Sequence, residues 1–491
     1  MSDATTLTRC STTPRESGRE SARVGTWLPA SRDVATTESG PVAGPRSGAA
    51  LPELVGTGLP VPLVDGRTVP YANLDLAASA PALRAVADHV AELLPYYSSV
   101  HRGAGYASQV CTSVVEGARG TIARFLGARA DDVVVFTRNT TDALNLLAGA
   151  VPGAVLCLDV EHHATLLAWR GTEHRVLRAP DSVDETLDLL REALAAEPTA
   201  LLAITGASNV TGEILPIAEI TEIAHAAGAR VVLDAAQLAP HRRVRIADWD
   251  VDYLVLSGHK LYAPYGTGVL VGRRDWLDVA TPYLAGGGAV TEVGVDGLRA
   301  EASWAPAPHR HEAGTPNVLG AAALAAACRA LDPVIDEVAP AHERALLARL
   351  LDGLSAIPGV HPLRIWADAP DRVGVASFTV RDVPAGLVAA ALSAEHGIGV
   401  RDGRFCAHPL LTRLAGGSGA DGAVRASLGL NTTEDDVDRL VAAVREIAAA
   451  GPSWDYSQAT GRWTPTPDPR DLDPFGLGAP TTPATEGTCA H

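Results

Sequence analysis

The chain is 491 residues long, room for two or three domains. Its formal net charge of −17 offers nothing to nucleic acid or to an anionic membrane surface. With 47% hydrophobic and 20% charged residues it can build a real core, which excludes wholesale disorder.

The basic residues are unequally divided: Lys260 is the only lysine, and the other 39 are arginine. Arginine stays protonated, whereas lysine can lose its proton and attack a carbonyl. The six cysteines (10, 111, 157, 328, 406 and 489) form no C-x-x-C pair, which reads as free thiols in a reducing cytoplasm. No apolar core of signal-peptide length lies within residues 1–30, and no stretch approaches a membrane span.

In chain order, residues 1–58 are rich in Ser, Thr, Gly, Pro and Arg without periodicity and read as a disordered arm. Short β-like runs follow at Val133–Phe136, Val155–Leu158, Leu201–Thr205, Arg230–Asp234 and Tyr253–Ser257. Helical stretches at Thr141–Ala150, Val183–Ala196 and Ile217–Ala227 fall between them. That alternation predicts an α/β fold, a mostly parallel sheet covered by helices. From about Asp332 the pattern changes to a helix (Ala341–Leu354), a strand (Arg372–Val380) and two helices (Ala385–His396, Thr433–Ala449), a smaller α+β domain. Residues 451–491 hold seven prolines and read as a loose, disordered tail.

Three segments carry chemistry. In VVVFTRNTTDALNLLAGAV (133–151) a strand runs through a polar turn into a helix N-terminus. On its own this is an ordinary N-cap by Asn139 or Thr140; an anion site is the alternative. In RVVLDAAQLAP (230–240), Asp234 ends a buried strand, where open α/β sheets place ligands. It fits a partner for a protonated ring nitrogen or an arginine as well as it fits a helix cap. In DYLVLSGHKLYAPYGTGVLVG (252–272), the only lysine follows His259 at a strand end, a setting able to depress its pKa for imine chemistry.

The order T-x-x-T-T-D-A-L-N, E-H-H-A, S-N-V-T-G, D-A-A-Q, S-G-H-K and E-A-G-T-P-N resembles class V, fold type I, pyridoxal-phosphate enzymes. Within them it is most similar to the cysteine desulfurase and selenocysteine lyase branch, from about Leu74 to Ala449. The resemblance implies a segment 59–84 joining the small domain, a large cofactor-binding domain over 85–331 with a seven-stranded type of sheet, and a small domain over 332–450. It implies that Lys260 holds pyridoxal 5′-phosphate as a Schiff base and moves the Cα proton. Asp234 would pair with the pyridinium nitrogen. Gln237 would bond the phenolic oxygen, with Asn209 beside it and next to the substrate. His162 would stack on the ring and help proton transfer; His163 is its less favoured neighbour. Thr140, Thr141, Ser257 and His259 would hold the phosphate. Thr315 would reach the phosphate of the other subunit in a homodimer, and no metal is implied.

By the same resemblance Arg425 clamps the substrate α-carboxylate, and Cys406 attacks the substrate sulfur, with Arg404 and His408 as candidates to lower its pKa. The implied function is a cytoplasmic cysteine desulfurase that makes alanine, leaves a persulfide on Cys406 and hands sulfur to an acceptor protein. The alternatives are a C–S lyase, epimerase or aminotransferase of the same class, which need no nucleophilic thiol, and a non-enzymatic relative. Where such desulfurases carry His-His-Cys-Ala-Gln-Pro, this chain has Arg404-Phe405-Cys406-Ala407-His408-Pro409, followed by a glycine-rich loop before Arg425.

Overall fold

Seven apolar runs pair into one sheet: β1 (Val133–Thr137), β2 (Val155–Leu158), β3 (His174–Leu177), β4 (Leu201–Thr205), β5 (Arg230–Asp234), β6 (Tyr253–Ser257) and β7 (Gly268–Gly272). The structure is a computed structural model and describes residues 50–416, 422–458 and 461–478. The strands lie in the order β1-β7-β6-β5-β4-β2-β3. Only β7 runs antiparallel to its neighbours; the other pairings are parallel. Every residue of β2, β4, β6 and β7 is buried, which is why these segments read as continuous apolar runs rather than alternations. Neighbouring side chains face opposite layers: Leu201 and Ala203 join one core, Leu202 and Ile204 the other. The strands β3 and β7 lie outside the five runs named from the sequence; β7 follows the glycine-bearing turn after Lys260, and β3 gave no signal. The strand β3 is an edge strand with alternating exposure and too little apolar content to signal itself.

A second sheet holds β8 (Val360–Pro362), β9 (Val375–Val380), β10 (Arg401–Gly403) and β11 (Ala423–Ser427), antiparallel in the order β8-β9-β11-β10. Helices Val338–Ser355, Ala385–His396 and Glu434–Ala450 cover it around Leu350, Phe378, Leu392 and Val444. The last helix starts at a capping box, where Thr433 and Asp436 satisfy each other's backbone N–H groups. The strand expected over Arg372–Val380 divides in two. Asp371–Arg372 pairs instead with Glu213–Ile214 of the large-sheet region, and Gly374 intervenes before β9.

The ends of the chain depart from expectation. Residues 1–49 of the arm lie outside the described residues, but Leu54 is buried, and the segment bonds to the body through Val55 N to the Ala82 carbonyl and Arg84 N to the Glu53 carbonyl. The arm therefore cannot extend to residue 58, because Leu54 is part of the main core. Residues 72 and 73 pair in parallel with Ile398–Gly399, and Ala72 and Leu74 enter the smaller core. The tail is not loose from residue 451 onward. Tyr456–Ser457 and Thr464–Pro465 form a short antiparallel ladder. Glu395 fastens it by accepting from Ser453 N at 2.9 Å and from the Tyr456 hydroxyl at 2.8 Å. The aromatic residues between the prolines supply these anchors; proline content alone hid them. Residues 479–491 lie outside the described residues.

One glycine on β7 governs how the sheet meets the turn that opens helix Thr140–Ala148. A Cβ on Gly268 would come within 2.6 Å of both the Asn139 Cα and the Leu256 carbonyl oxygen. Gly268→Ala should therefore lower stability by about 1–3 kcal/mol, seen as a lower urea midpoint at unchanged m-value.

Candidate active site

The C-terminal ends of the parallel strands converge on one cavity of about 440 Å³, as open α/β sheets require. Asn139, Thr140 and Thr141 arrive after β1, His162 after β2, Asn209 after β4, Asp234 and Gln237 after β5, and Ser257, His259 and Lys260 after β6. The smaller sheet closes the other side with Arg401, Asp402, Arg404, Phe405, Cys406, His408 and Arg425. Of the residues singled out in the sequence, only Thr315 stands away from this cavity, exposed on the loop before helix Val318–Leu331.

Asn139 does cap helix Thr140–Ala148, its side chain accepting from Asp142 N at 2.9 Å. The neighbouring hydroxyls form a cluster separate from that cap. Ser257 Oγ lies 2.8 Å from Thr140 Oγ1 and accepts from Thr140 N at 2.9 Å. His259 lies 3.3 Å from the Ser79 hydroxyl. Three hydroxyls, an imidazole and a helix N-terminus make a donor set suited to a phosphate.

Asp234 is buried. It accepts from Ala236 N at 3.0 Å and from the Thr165 hydroxyl at 3.1 Å. Burial nevertheless raises its carboxyl above the ordinary range, with Lys260 and those two bonds only partly offsetting it. Thr165 was not legible as a site residue, although it sits one helical turn beyond His162 on helix His163–Leu167.

Lys260 Nζ donates to Gln237 Oε1 at 3.0 Å. Burial, reinforced by Arg425, depresses its ammonium to about 8, against the opposing pull of Asp234 and Cys406. Roughly a tenth is thus a free amine at pH 7, far more than for an ordinary lysine, and this is the form that attacks a carbonyl. Burial, then Lys260, drives His162 down to about 3. Its Nδ1 accepts from Ala164 N at 3.0 Å, so the neutral ring carries its proton on Nε2.

Arg425 lies on β11, buried, donating to the Asn209 carbonyl at 2.9 Å and to Asp75 at 3.3 Å. Its Nε has no partner among the described residues, a buried donor of the kind a carboxylate satisfies. Asp75 escaped notice because it stands near the chain's start, 350 residues away.

Cys406 is half-buried in the turn after β10, and its carbonyl accepts from His163 N at 2.8 Å. His408 meets the His163 ring edge-on at 4.4 Å and donates its own backbone N–H to His163 Nε2 at 3.3 Å. His163 therefore holds the thiol loop rather than standing idle beside His162. Part of the glycine-rich loop, residues 417–421, lies outside the described residues.

A lysine with a depressed pKa, a buried carboxylate short of a cation, a hydroxyl cluster and an arginine with a vacant donor define a site for a phosphorylated carbonyl cofactor and an amino acid. Residues 72–440 match the aminotransferase class-V family, and the chain belongs to it. Among individual proteins, a cysteine desulfurase of Cronobacter sakazakii is 38% identical over 393 residues, spanning 77% of this chain and 93% of that protein. The apo structure of a cysteine desulfurase from Thermococcus onnurineus matches with a TM-score of 0.70 at 30% identity, over 77% of this chain and 95% of that one. An S-sulfonic acid form of a cysteine desulfurase from Escherichia coli gives 0.67 at 33%, over 77% and 94%.

Acylation of Lys260 in the cofactor-free chain by an amine-reactive ester should reach half its limiting rate near pH 8 rather than at an ordinary lysine's value. The Asp234 anion favours the ammonium, so Asp234→Asn should move that midpoint downward, measured by mass spectrometry across a pH series.

Proposed function

We propose that this chain is a pyridoxal-5′-phosphate-dependent cysteine desulfurase that converts L-cysteine to L-alanine and carries the sulfur on Cys406. The observation that supports it best is the meeting, in one cavity, of Lys260, the buried Asp234, Arg425 with its vacant Nε, and the Cys406 loop. The residues fit the cofactor. Thr140, Thr141, Ser257 and His259 would hold its phosphate, Asp234 its ring nitrogen and Lys260 its carbonyl carbon, with Gln237 and His162 beside the ring. Bound there, the cofactor supplies a ring that accepts electrons from the substrate Cα.

The chain's own groups do the rest. Arg425 binds the substrate carboxylate through a planar fork, the vacant Nε being one prong. Asp234 keeps a proton on the ring nitrogen, and the resulting ring cation would compensate the buried carboxylate. Lys260, as the free amine, takes the Cα proton. The Cys406 thiolate forms a bond to the substrate sulfur, and the substrate Cβ–S bond breaks. Its electron pair stays with the carbon skeleton, which gains protons and leaves as alanine. In sum, cysteine and the Cys406 thiol become alanine and a Cys406 persulfide. His162 stays neutral at working pH, so it presents an uncharged ring and one N–H.

An acceptor protein would take the sulfur in a second half-reaction. Thr315, exposed outside the cavity, fits a role across a homodimer; an analytical ultracentrifuge run on the holoenzyme tests that assembly.

Lys260→Arg should keep the charge, lower turnover on the order of 10²–10⁴-fold, and leave no cofactor mass on the chain after borohydride treatment. Cys406→Ala should bind cysteine yet yield neither alanine nor a persulfide. Pyruvate and ammonia in place of alanine from the unaltered enzyme would instead indicate β-elimination.

A further inference from the structure

Phe405 immediately precedes the thiol, stands where the resembling desulfurases carry histidine, and is buried. The Arg425 guanidinium carbon lies 5.1 Å from the centre of its ring. Asn209 Nδ2 donates to the Phe405 carbonyl at 2.8 Å, while the Asn209 carbonyl accepts from Arg425 at 2.9 Å. Arg425, Asn209 and Phe405 thus close a ring of three contacts around one corner of the cavity.

The backbone at this corner is unusual. Phe405 has φ +47° and Cys406 φ +54°, two consecutive non-glycine residues in the left-handed region. Each such residue costs on the order of 1–3 kcal/mol and persists only where surrounding contacts over-determine it. Three contacts do so here: Asn209 on the Phe405 carbonyl, His163 N–H on the Cys406 carbonyl, and Ala407 N–H on the Arg404 carbonyl at 2.9 Å.

We propose that Phe405 is a positioning residue that couples substrate recognition to sulfur transfer: its ring braces the carboxylate-binding Arg425 while its backbone sets the Cys406 thiol. A guanidinium binds a carboxylate through two prongs only when its plane is fixed, and a desolvated aromatic face attracts and orients it. The two residues that meet opposite ends of the substrate, Arg425 and Cys406, are then held by one side chain and its own peptide. Substrates bearing an α-carboxylate gain from this arrangement; amines without one do not. The coupling rests on the desulfurase reading above, but the bracing of Arg425 does not.

The test uses the full-length holoenzyme and two probes, L-alanine and ethylamine, which differ by the carboxylate. Spectral titration of the bound cofactor gives both affinities. Phe405→Leu and Phe405→Met keep an apolar filling and lose the ring. Each should weaken L-alanine binding on the order of ten-fold, the loss of about 1–2 kcal/mol of desolvated cation–π attraction, and leave ethylamine binding unchanged. Phe405→Tyr should restore the unaltered ratio. A single turnover at saturating L-cysteine should then form the Cys406 persulfide at least several-fold more slowly in the Leu and Met variants. An L-alanine to ethylamine ratio equal to that of the unaltered enzyme in whichever of the two variants folds overturns the proposal. A changed ratio with an unchanged persulfide rate overturns the coupling to the thiol. Absence of any persulfide in the unaltered enzyme defeats the desulfurase reading instead, while the titration still reports on Arg425.

Discussion

A buried carboxylate at the end of a central strand, given too little positive charge by its own chain, is the constraint around which this molecule is organised. Asp234 receives one backbone N–H and one hydroxyl, and its nearest cation is a lysine that is itself losing its proton to burial. An uncompensated buried charge costs several kcal/mol. The pocket thus pairs a carboxylate that favours a cation at one point with a reactive amine at another. A ligand carrying a protonatable ring nitrogen and an aldehyde relieves both. Burial, which usually disfavours charge, here selects the ligand.

The second half of the chemistry comes from a different sheet. The parallel sheet delivers its groups to the cavity at strand ends. The smaller antiparallel sheet delivers Arg425 from β11 and the thiol from the turn after β10. Asn209, which follows β4, donates from its side chain to the Phe405 carbonyl, just before the thiol, and accepts from Arg425 at its own carbonyl. The two assemblies are therefore registered to each other by one asparagine to within hydrogen-bond tolerance, the precision that positioned reacting groups require.

Most of this architecture was legible because its signals are local. Five strands and the apolar helices were visible as runs, and six short motifs in order carried the family resemblance. What stayed hidden depends on contacts between distant segments. Thr165 looks like any helical threonine until Asp234 is seen beneath it, and Asp75 lies 350 residues from its arginine. Phe405 read only as a departure from a familiar pattern; its ring acquires meaning from Arg425 across the corner. The tail misled in the opposite sense. Prolines dominate its composition, yet Tyr456 and Trp454, with Glu395 as their common acceptor, hold it to helix Ala385–His396. Composition reports what a segment cannot form alone and is silent about what it can lean on.

The parallel bridge between residues 72–73 and Ile398–Gly399 has a consequence for biosynthesis. The smaller core needs Leu74 from near the start of the chain together with Phe378, Leu392 and Val444 from near its end. At ribosomal speeds of about 5–20 residues per second, the roughly 370 residues from Leu74 to Val444 take on the order of 20–75 seconds. The seven-stranded sheet, whose strands all lie between residues 133 and 272, can assemble during that interval. The early segment must wait, its apolar side chains without their partners, until the last helix emerges. The corner where Arg425 meets the Cys406 loop is therefore among the last parts of the nascent protein to form, so a prematurely terminated chain would own the strand ends of the parallel sheet without the groups the smaller sheet brings to the cavity.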